Sequence, residues 1–310
     1  MMTSIPHNLR RLFLLLILLL LIGIGVAGWV YIRTRTPARS GKFDGARAYQ
    51  DVLYQMSVGP RTVGSQAHAE AVTWMVNELQ DNHWKVEIQR TETDGVPIQN
   101  VIAMSGVSDS RSPWIVVAAH YDSRQLADQD PDPKLRTSPV PGANDGASGV
   151  AVLMELARTL SPQVKGEIWL VFLDAEDDGT ASGSGWILGS EAFVKDLKTR
   201  RNGKLPDDAI ILDMIGDKDL NIYKEYNSNP DLTDSIWDQA ARLGYNQFIP
   251  SYKYRMLDDH IPFLEANIPA VDIIDFDYPY WHTTQDTADK VSAASLQAVG
   301  DTVLSWLSNR

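Results

Sequence analysis

A chain of 310 residues, 44% hydrophobic and 22% charged, is long enough to bury a substantial core. Its formal net charge of −12 denies it the basic face that a phosphate backbone requires, so nucleic acid is excluded as a partner. Cysteine is absent, which excludes disulfides and thiolate metal sites and leaves histidine and carboxylates as the only ligands for zinc.

A short tail, residues 1–11, precedes an apolar run from Leu12 to Ile32 (LFLLLILLLLIGIGVAGWVYI). As a helix this run is about 31 Å long, close to the hydrocarbon thickness of a bilayer. A buried core helix explains it poorly, because the segment has no polar face. Arg10 and Arg11 flank it on one side and Arg33 and Arg35 on the other, so charge bias leaves its orientation open. Cleaved signal peptides have a shorter apolar region and a small-x-small cleavage site. The expectation is an uncleaved single-pass anchor, with the rest of the chain outside the cytoplasm. Residues 33–43 (RTRTPARSGKF) read as a polar linker, and 44–310 as one domain without internal repeats.

Within that domain, residues 44–57 and 66–82 carry apolar side chains at helical spacing. WKVEIQ (84–89) and NVIAMS (100–105) read as strands, and WIVVAAH (114–120) as a buried strand ending in a histidine. A helix follows at 146–160, then a second buried strand at 167–176 that ends in acids. A helix is expected at 189–199, a strand at 209–217 and a helix at 230–243. A short apolar helix comes after His260, a strand at 270–275, and a closing helix at 292–308. Buried β-branched runs alternating with helices predict an α/β fold: a mixed, mostly parallel central sheet with helices on both faces. In such sheets, sites gather beyond the carboxyl ends of the strands.

Polar residues collect at those ends. They are His120 and Asp122; Asp145 at the start of a helix; Asp174, Glu176, Asp177 and Asp178; Asp213; Asp258, Asp259 and His260; and His282. Taken singly, most have a structural explanation. Asp145 reads as a helix N-cap, His120 as a satisfied polar residue, and the acids at 174–178 as a solvated loop. Asp213 is harder to dismiss, because a carboxylate inside Ile-Ile-Leu-Asp-Met-Ile needs a counter-charge or a metal. Together, two histidines and three carboxylates can hold two zinc ions that share one bridging acid. Adjacent acids such as Glu176 and Asp177 can divide ligation from proton transfer. The long loop 121–141, rich in Pro and Asp, reads equally as a site rim or a surface insertion, and its Arg124 is a candidate contact for a substrate carboxylate or carbonyl.

The order of these motifs resembles the zinc exopeptidase superfamily that contains bacterial-type leucyl aminopeptidases and glutaminyl-peptide cyclotransferases. The resemblance covers residues 44 to 308. It is carried by AAHYDS (118–123), PGANDGASGVAVLMELAR (141–158), FLDAEDDG (172–179), WILGS (186–190), LDMIGD (212–217), DDHIPFL (258–264) and WHTTQDTADKVS (281–292). It implies a zinc enzyme, with one or two ions, that acts on peptide or protein N-termini. Asp145 would bridge the metals, Asp177 and His282 would complete the main site, and His120 and Asp213 would bind a second ion. Glu176 would be the general acid/base, Asp122 would orient His120, and Asp258 would hydrogen-bond Glu176. Asp259 and His260 would support the site from behind. Many members have Glu where Asp177 stands, and the shorter side chain remains a plausible ligand. Asp258-Asp259-His260, Trp281 directly before the last ligand, and Trp186 resemble the cyclase branch. The implied reaction is cyclisation of an N-terminal glutamine to pyroglutamate with loss of ammonia. The alternatives are a zinc aminopeptidase and a non-catalytic receptor-like ectodomain; in the last, ligands would be missing, and here every ligand position is filled.

Overall fold

Successive side chains of a strand point to opposite faces of its sheet, and in this protein that alternation sorts the core into two layers. In the buried strand 114–120, Ile115, Val117 and Ala119 join one apolar cluster, while Trp114, Val116 and Ala118 join another. The computed structural model describes residues 41–105, 113–160, 166–179, 185–200 and 203–310. The expected anchor at 12–32 lies outside the described residues. Among the described residues no helix is long and apolar enough to cross a membrane. Phe43, at the end of the expected linker, is already core: it is buried, and its ring lies against Gly300.

The strands of the main sheet are β1 (Lys85–Thr93), β2 (Val96–Met104), β3 (Trp114–His120), β4 (Glu167–Leu173), β5 (Asp208–Asp213) and a final strand, β8 (Ala270–Ile274). Their order is β1-β2-β4-β3-β5-β8. The β4–β3, β3–β5 and β5–β8 pairings are parallel, and β2 runs antiparallel to both neighbours. The sheet is therefore mixed and mostly parallel, as expected. Two short strands, β6 (Ile222–Lys224) and β7 (Phe248–Tyr252), form a separate parallel pair.

One face of the sheet is covered by α1 (Gly45–Val58), α2 (Gln66–Asp81), α3 (Ala147–Thr159), α5 (Pro230–Leu243) and α7 (Ala293–Ser308). The other is covered by α4 (Leu188–Leu197) and the short α6 (Ile261–Glu265). Helix starts follow capping chemistry. Asp44 accepts from the N–H groups of Ala46 and Arg47, Ser65 from His68, and Asn229 from Leu232. Helix α3 crosses the sheet closely enough to require glycine, since a Cβ on Gly149 would stand 2.3 Å from the carbonyl oxygen of Leu212.

Sequence and structure differ most at the β1–β2 hairpin. The strands expected at 84–89 and 100–105 extend toward each other until Thr93 pairs with Val96. Asp94 and Gly95 both take positive φ, 51° and 83°, as a two-residue hairpin turn demands. The strand expected at 167–176 stops at Leu173, because the chain turns at Ala175 (φ 52°) to aim the following acids into the site. The strand expected at 209–217 ends at Asp213, before Met214 (φ 45°), for the same geometric reason.

Candidate active site

Strands β3, β4 and β5 run side by side and end together, so the residues at their carboxyl ends meet. Helix α3 begins above them. Asp145 stands just before it and does not cap it: Gly146 is the N-cap residue and no side-chain cap bond forms. The Asp145 carboxylate instead faces two imidazoles. Its Oδ1 is 3.1 Å from His120 Nε2 and its Oδ2 is 3.7 Å from His282 Nε2. Asp213 Oδ1 lies 3.1 Å from the same nitrogen of His120, and Asp177 Oδ1 lies 3.0 Å from that of His282. The structure thus brings together all five expected ligands as two triads that share Asp145. In His120–Asp145–Asp213 and in Asp145–Asp177–His282, the ligand atoms all lie within 4.8 Å of one another. All five residues are buried.

The backbone around this cage is strained where it has to be. Ala175, Ile187, Met214 and His282 are non-glycine residues with positive φ, and such conformations persist only where the surroundings impose them. Asp122 imposes one. It lies 3.4 Å from His120 Nδ1, and its two oxygens accept the backbone N–H groups of Glu176 and Asp177. One carboxylate therefore orients a ligand imidazole and folds the acid turn. Gly146 makes room for this, because a Cβ there would meet the carbonyl oxygen of Asp122 at 2.6 Å. Asp145 is positioned by Asp286, which accepts the N–H groups of Asn144 and Asp145 and a hydrogen bond from the Tyr278 hydroxyl. Arg61, fully buried, donates to the carbonyls of Tyr121, Pro141 and Gly142 and ties the flanking loops together. Sequence reasoning passed over Asp286 and Arg61. Asp286 lies inside the WHTTQDTADKVS segment and follows His282 by four residues, a usable signal; for Arg61 we find none.

Acids outnumber donors in this pocket, and the proton affinities show it. Burial, and then the neighbouring Asp177 carboxylate, push the Glu176 carboxyl well above its usual range. Burial raises Asp213 as well. Burial opposes charging of His120, but the carboxylates of Asp122, Asp145 and Asp213 outweigh it and raise the imidazole well above its ordinary value. Asp177 Oδ2 is buried with no hydrogen-bond partner. So many buried acceptors with so few donors fit a bound cation, and two imidazoles among carboxylates without thiolates are a donor set suited to zinc.

Behind the cage lies a second acidic group. Burial, and then Asp213, raise Asp258 to about 7. The expected hydrogen bond from Asp258 to Glu176 does not form. Asp258 Oδ1 turns back to accept the N–H of Asp259, and the two carboxyls influence each other only through their charges. Asp259 and His260 are buried, and His260 has Nε2 3.3 Å from Glu225 Oε2 and Nδ1 3.9 Å from Asp272 Oδ2; with Asp258 and Asp272 it forms a further group whose ligand atoms lie within 4.8 Å of one another. Glu225, missed in the sequence, accepts from the N–H groups of Asn227, Ser228 and Met256.

Two indoles line the cage at His282. Trp281 stacks on the imidazole with ring centroids 3.8 Å apart, and Trp186 lies parallel to it at 6.0 Å. Gly179 provides the floor for Trp186, because a Cβ there would overlap the indole. Arg124 does not point outward toward a substrate. Its guanidinium is buried over Trp186, 4.5 Å from the ring centroid, and donates to the carbonyls of Asp177 and Gly179 and to the Asp128 carboxylate.

Known proteins share this arrangement of elements. Porphyromonas gingivalis glutaminyl cyclase superimposes with a TM-score of 0.79 at 34% identity, covering 86% of this chain and 98% of that one. A leucine aminopeptidase precursor from Bacteroides thetaiotaomicron gives a TM-score of 0.79 at 33% identity, covering 87% and 98%. In sequence, the glutaminyl-peptide cyclotransferase of Drosophila melanogaster is 26% identical, covering 76% of this chain and 73% of that protein. The family model described as peptidase family M28 matches residues 100–307, a span that includes the whole cage from His120 to His282. This chain belongs to peptidase family M28.

Proposed function

We propose that the protein is a zinc enzyme acting on peptide N-termini, and that its reaction is conversion of an N-terminal glutamine to pyroglutamate with release of ammonia. The observation that carries this reading is the pair of indoles, Trp186 and Trp281, set against the imidazole of His282 beside the buried Glu176. Flat apolar walls suit the methylenes and amide plane of a glutamine side chain. The solved relatives that carry the cyclase name support it as well.

Asp145, Asp177 and His282 would hold the zinc ion, which when bound would polarise the γ-carbonyl of the substrate. Lying against the indoles, the glutamine side chain would be brought close to its own α-amine, so the ring closure is intramolecular. Glu176 takes a proton from the α-amine as that nitrogen bonds to the γ-carbonyl carbon. It then returns the proton to the departing amide nitrogen, which leaves as ammonia. Asp258 sits close enough to influence the charge of Glu176.

A second reading, aminopeptidase, is favoured by one observation: His120 and Asp213 complete a second triad on the far oxygen of Asp145, as a two-ion hydrolase would need. Mass analysis of purified protein incubated with Gln-initiated and Leu-initiated peptides separates the two. Loss of ammonia from the Gln peptide supports cyclisation, and release of a free amino acid overturns it.

The apolar stretch 12–32 motivates one further part of the proposal: a single-span membrane tether with the catalytic residues outside the cytoplasm. Recovery of the full chain in the supernatant after alkaline carbonate extraction of membranes would sink it.

A further inference from the structure

His282 is gripped by a second stretch of chain that contributes no candidate ligand. Its backbone takes φ 54°, which a non-glycine residue adopts only when held there. Three successive residues of the 121–141 loop do the holding. Asp128 Oδ1 lies 3.5 Å from the imidazole Nδ1. The Gln129 N–H donates to the His282 carbonyl at 3.2 Å. Asp130 Oδ2 accepts from the backbone N–H of Thr284 at 3.0 Å and from its hydroxyl at 2.6 Å. Ring, carbonyl and the chain just beyond are each fixed by a different residue.

Asp128 is itself anchored. Arg124 meets it with two nitrogens, at 2.9 and 2.8 Å, and the same guanidinium binds the Asp177 carbonyl and lies over Trp186. The loop thus connects both exclusive ligands of the main triad, His282 and Asp177, and one wall of the pocket. A metal-bound imidazole needs an acceptor for its other N–H, which fixes the tautomer and the aim of the ligating nitrogen. With Asp128 on Nδ1, Nε2 is left facing Asp177 and Asp145.

We propose that Asp128, Gln129 and Asp130 form a brace that positions His282 for the metal, with Asp128 the carboxylate that sets the imidazole's tautomer. This rests on the zinc reading above. An ordinary surface insertion would leave zinc binding untouched when altered.

The test is zinc affinity of the full-length protein, by competition with a chromophoric chelator, together with proton NMR of the His282 ring in the zinc-loaded protein, where a carboxylate acceptor moves the Nδ1–H signal downfield. Asp128→Ala should weaken zinc about 10- to 100-fold and remove the downfield Nδ1–H signal. Asp128→Asn keeps an acceptor oxygen without the charge, so it should fall between Asp128→Ala and the unaltered protein, and it carries the comparison if Asp128→Ala folds poorly. Asp130→Ala should also weaken zinc. Asp132→Ala removes an exposed carboxylate whose hydrogen bond stays within the loop, at the Lys134 N–H, and should change nothing. The brace is overturned if Asp128→Ala binds zinc like the unaltered protein, or if Asp132→Ala is equally weak, which would mean general loosening of the loop. An unaltered protein that binds no zinc overturns the zinc reading and the brace with it; zinc binding that survives Asp128→Ala overturns the brace alone.

Discussion

Glu176 is the residue to which the proposed reaction gives proton transfer, and its surroundings already hold it in a high-affinity state for the proton. Burial and Asp177 favour its neutral form in the metal-free protein, while a general base has to be ionised. Activity should therefore rise with pH through one ionisation on the acid side, and a pH profile of kcat/KM in Glu176→Gln should lose that limb. The same variant should lower kcat by about 10²- to 10⁴-fold. Zinc content should be unchanged, because the proposed ion rests on Asp145, Asp177 and His282; a loss would instead make Glu176 a ligand, since it also lies within 4.8 Å of ligand atoms of His120 and Asp177. A variant that keeps its rate would remove Glu176 from the chemistry. The residues missed in the sequence share one character. Asp286, Glu225, Arg61 and Asp128 act on backbone groups or on other side chains, and residue type alone names no partner, whether it stands two positions away, as Asn227 does from Glu225, or more than a hundred, as His282 does from Asp128. Asp145, by contrast, carried a good N-cap signal that was misleading, because the cap position fell to Gly146.

At the scale of elements, the buried strands were legible because their apolar runs are long and their ends polar. β3 was located to the residue, and α5 likewise. Short strands β6 and β7 were not, since three and five residues carry too little periodicity. The hairpin was readable from Asp94-Gly95, the strongest short-range turn signal, and was passed over because polar residues separate the two apolar runs. Helix α3 offers a test in which two rules disagree. Helix propensity alone makes Gly149→Ala stabilising by about 1 kcal/mol. The added methyl, however, would stand 2.3 Å from the Leu212 carbonyl oxygen and 2.7 Å from Ala119 Cβ, with backbone on one side and a packed strand on the other. Overpacking should win, and urea denaturation should show a loss of about 1–3 kcal/mol. A more stable variant would mean that α3 can lift from the sheet.

For the whole molecule, the sheet brings residues from across the sequence into one cage whose charge is unbalanced without a cation. Folding and metal binding are then linked. At a free zinc concentration about 100 times Kd the folded state gains about 2.7 kcal/mol, so the melting temperature should rise on zinc addition and fall on chelation. The sign of the pH dependence follows from the raised carboxyls and imidazole. His282 in the main triad and His120 and Asp213 in the second hold protons more tightly than free side chains do, and ligands must shed protons to bind metal. Carboxyls with raised proton affinity stabilise the metal-free fold at acid pH and lose that contribution as pH rises. The zinc-induced rise in melting temperature should thus be larger at about pH 8 than at about pH 5.5, and scanning calorimetry at the two pH values checks it.

The most direct test of this account is a crystal structure of zinc-loaded protein with anomalous data collected at the zinc absorption edge. The account predicts a peak about 2.0–2.2 Å from oxygens of Asp145 and Asp177 and from Nε2 of His282. Its absence from zinc-loaded crystals, or a peak only at sites away from Asp145, would contradict it.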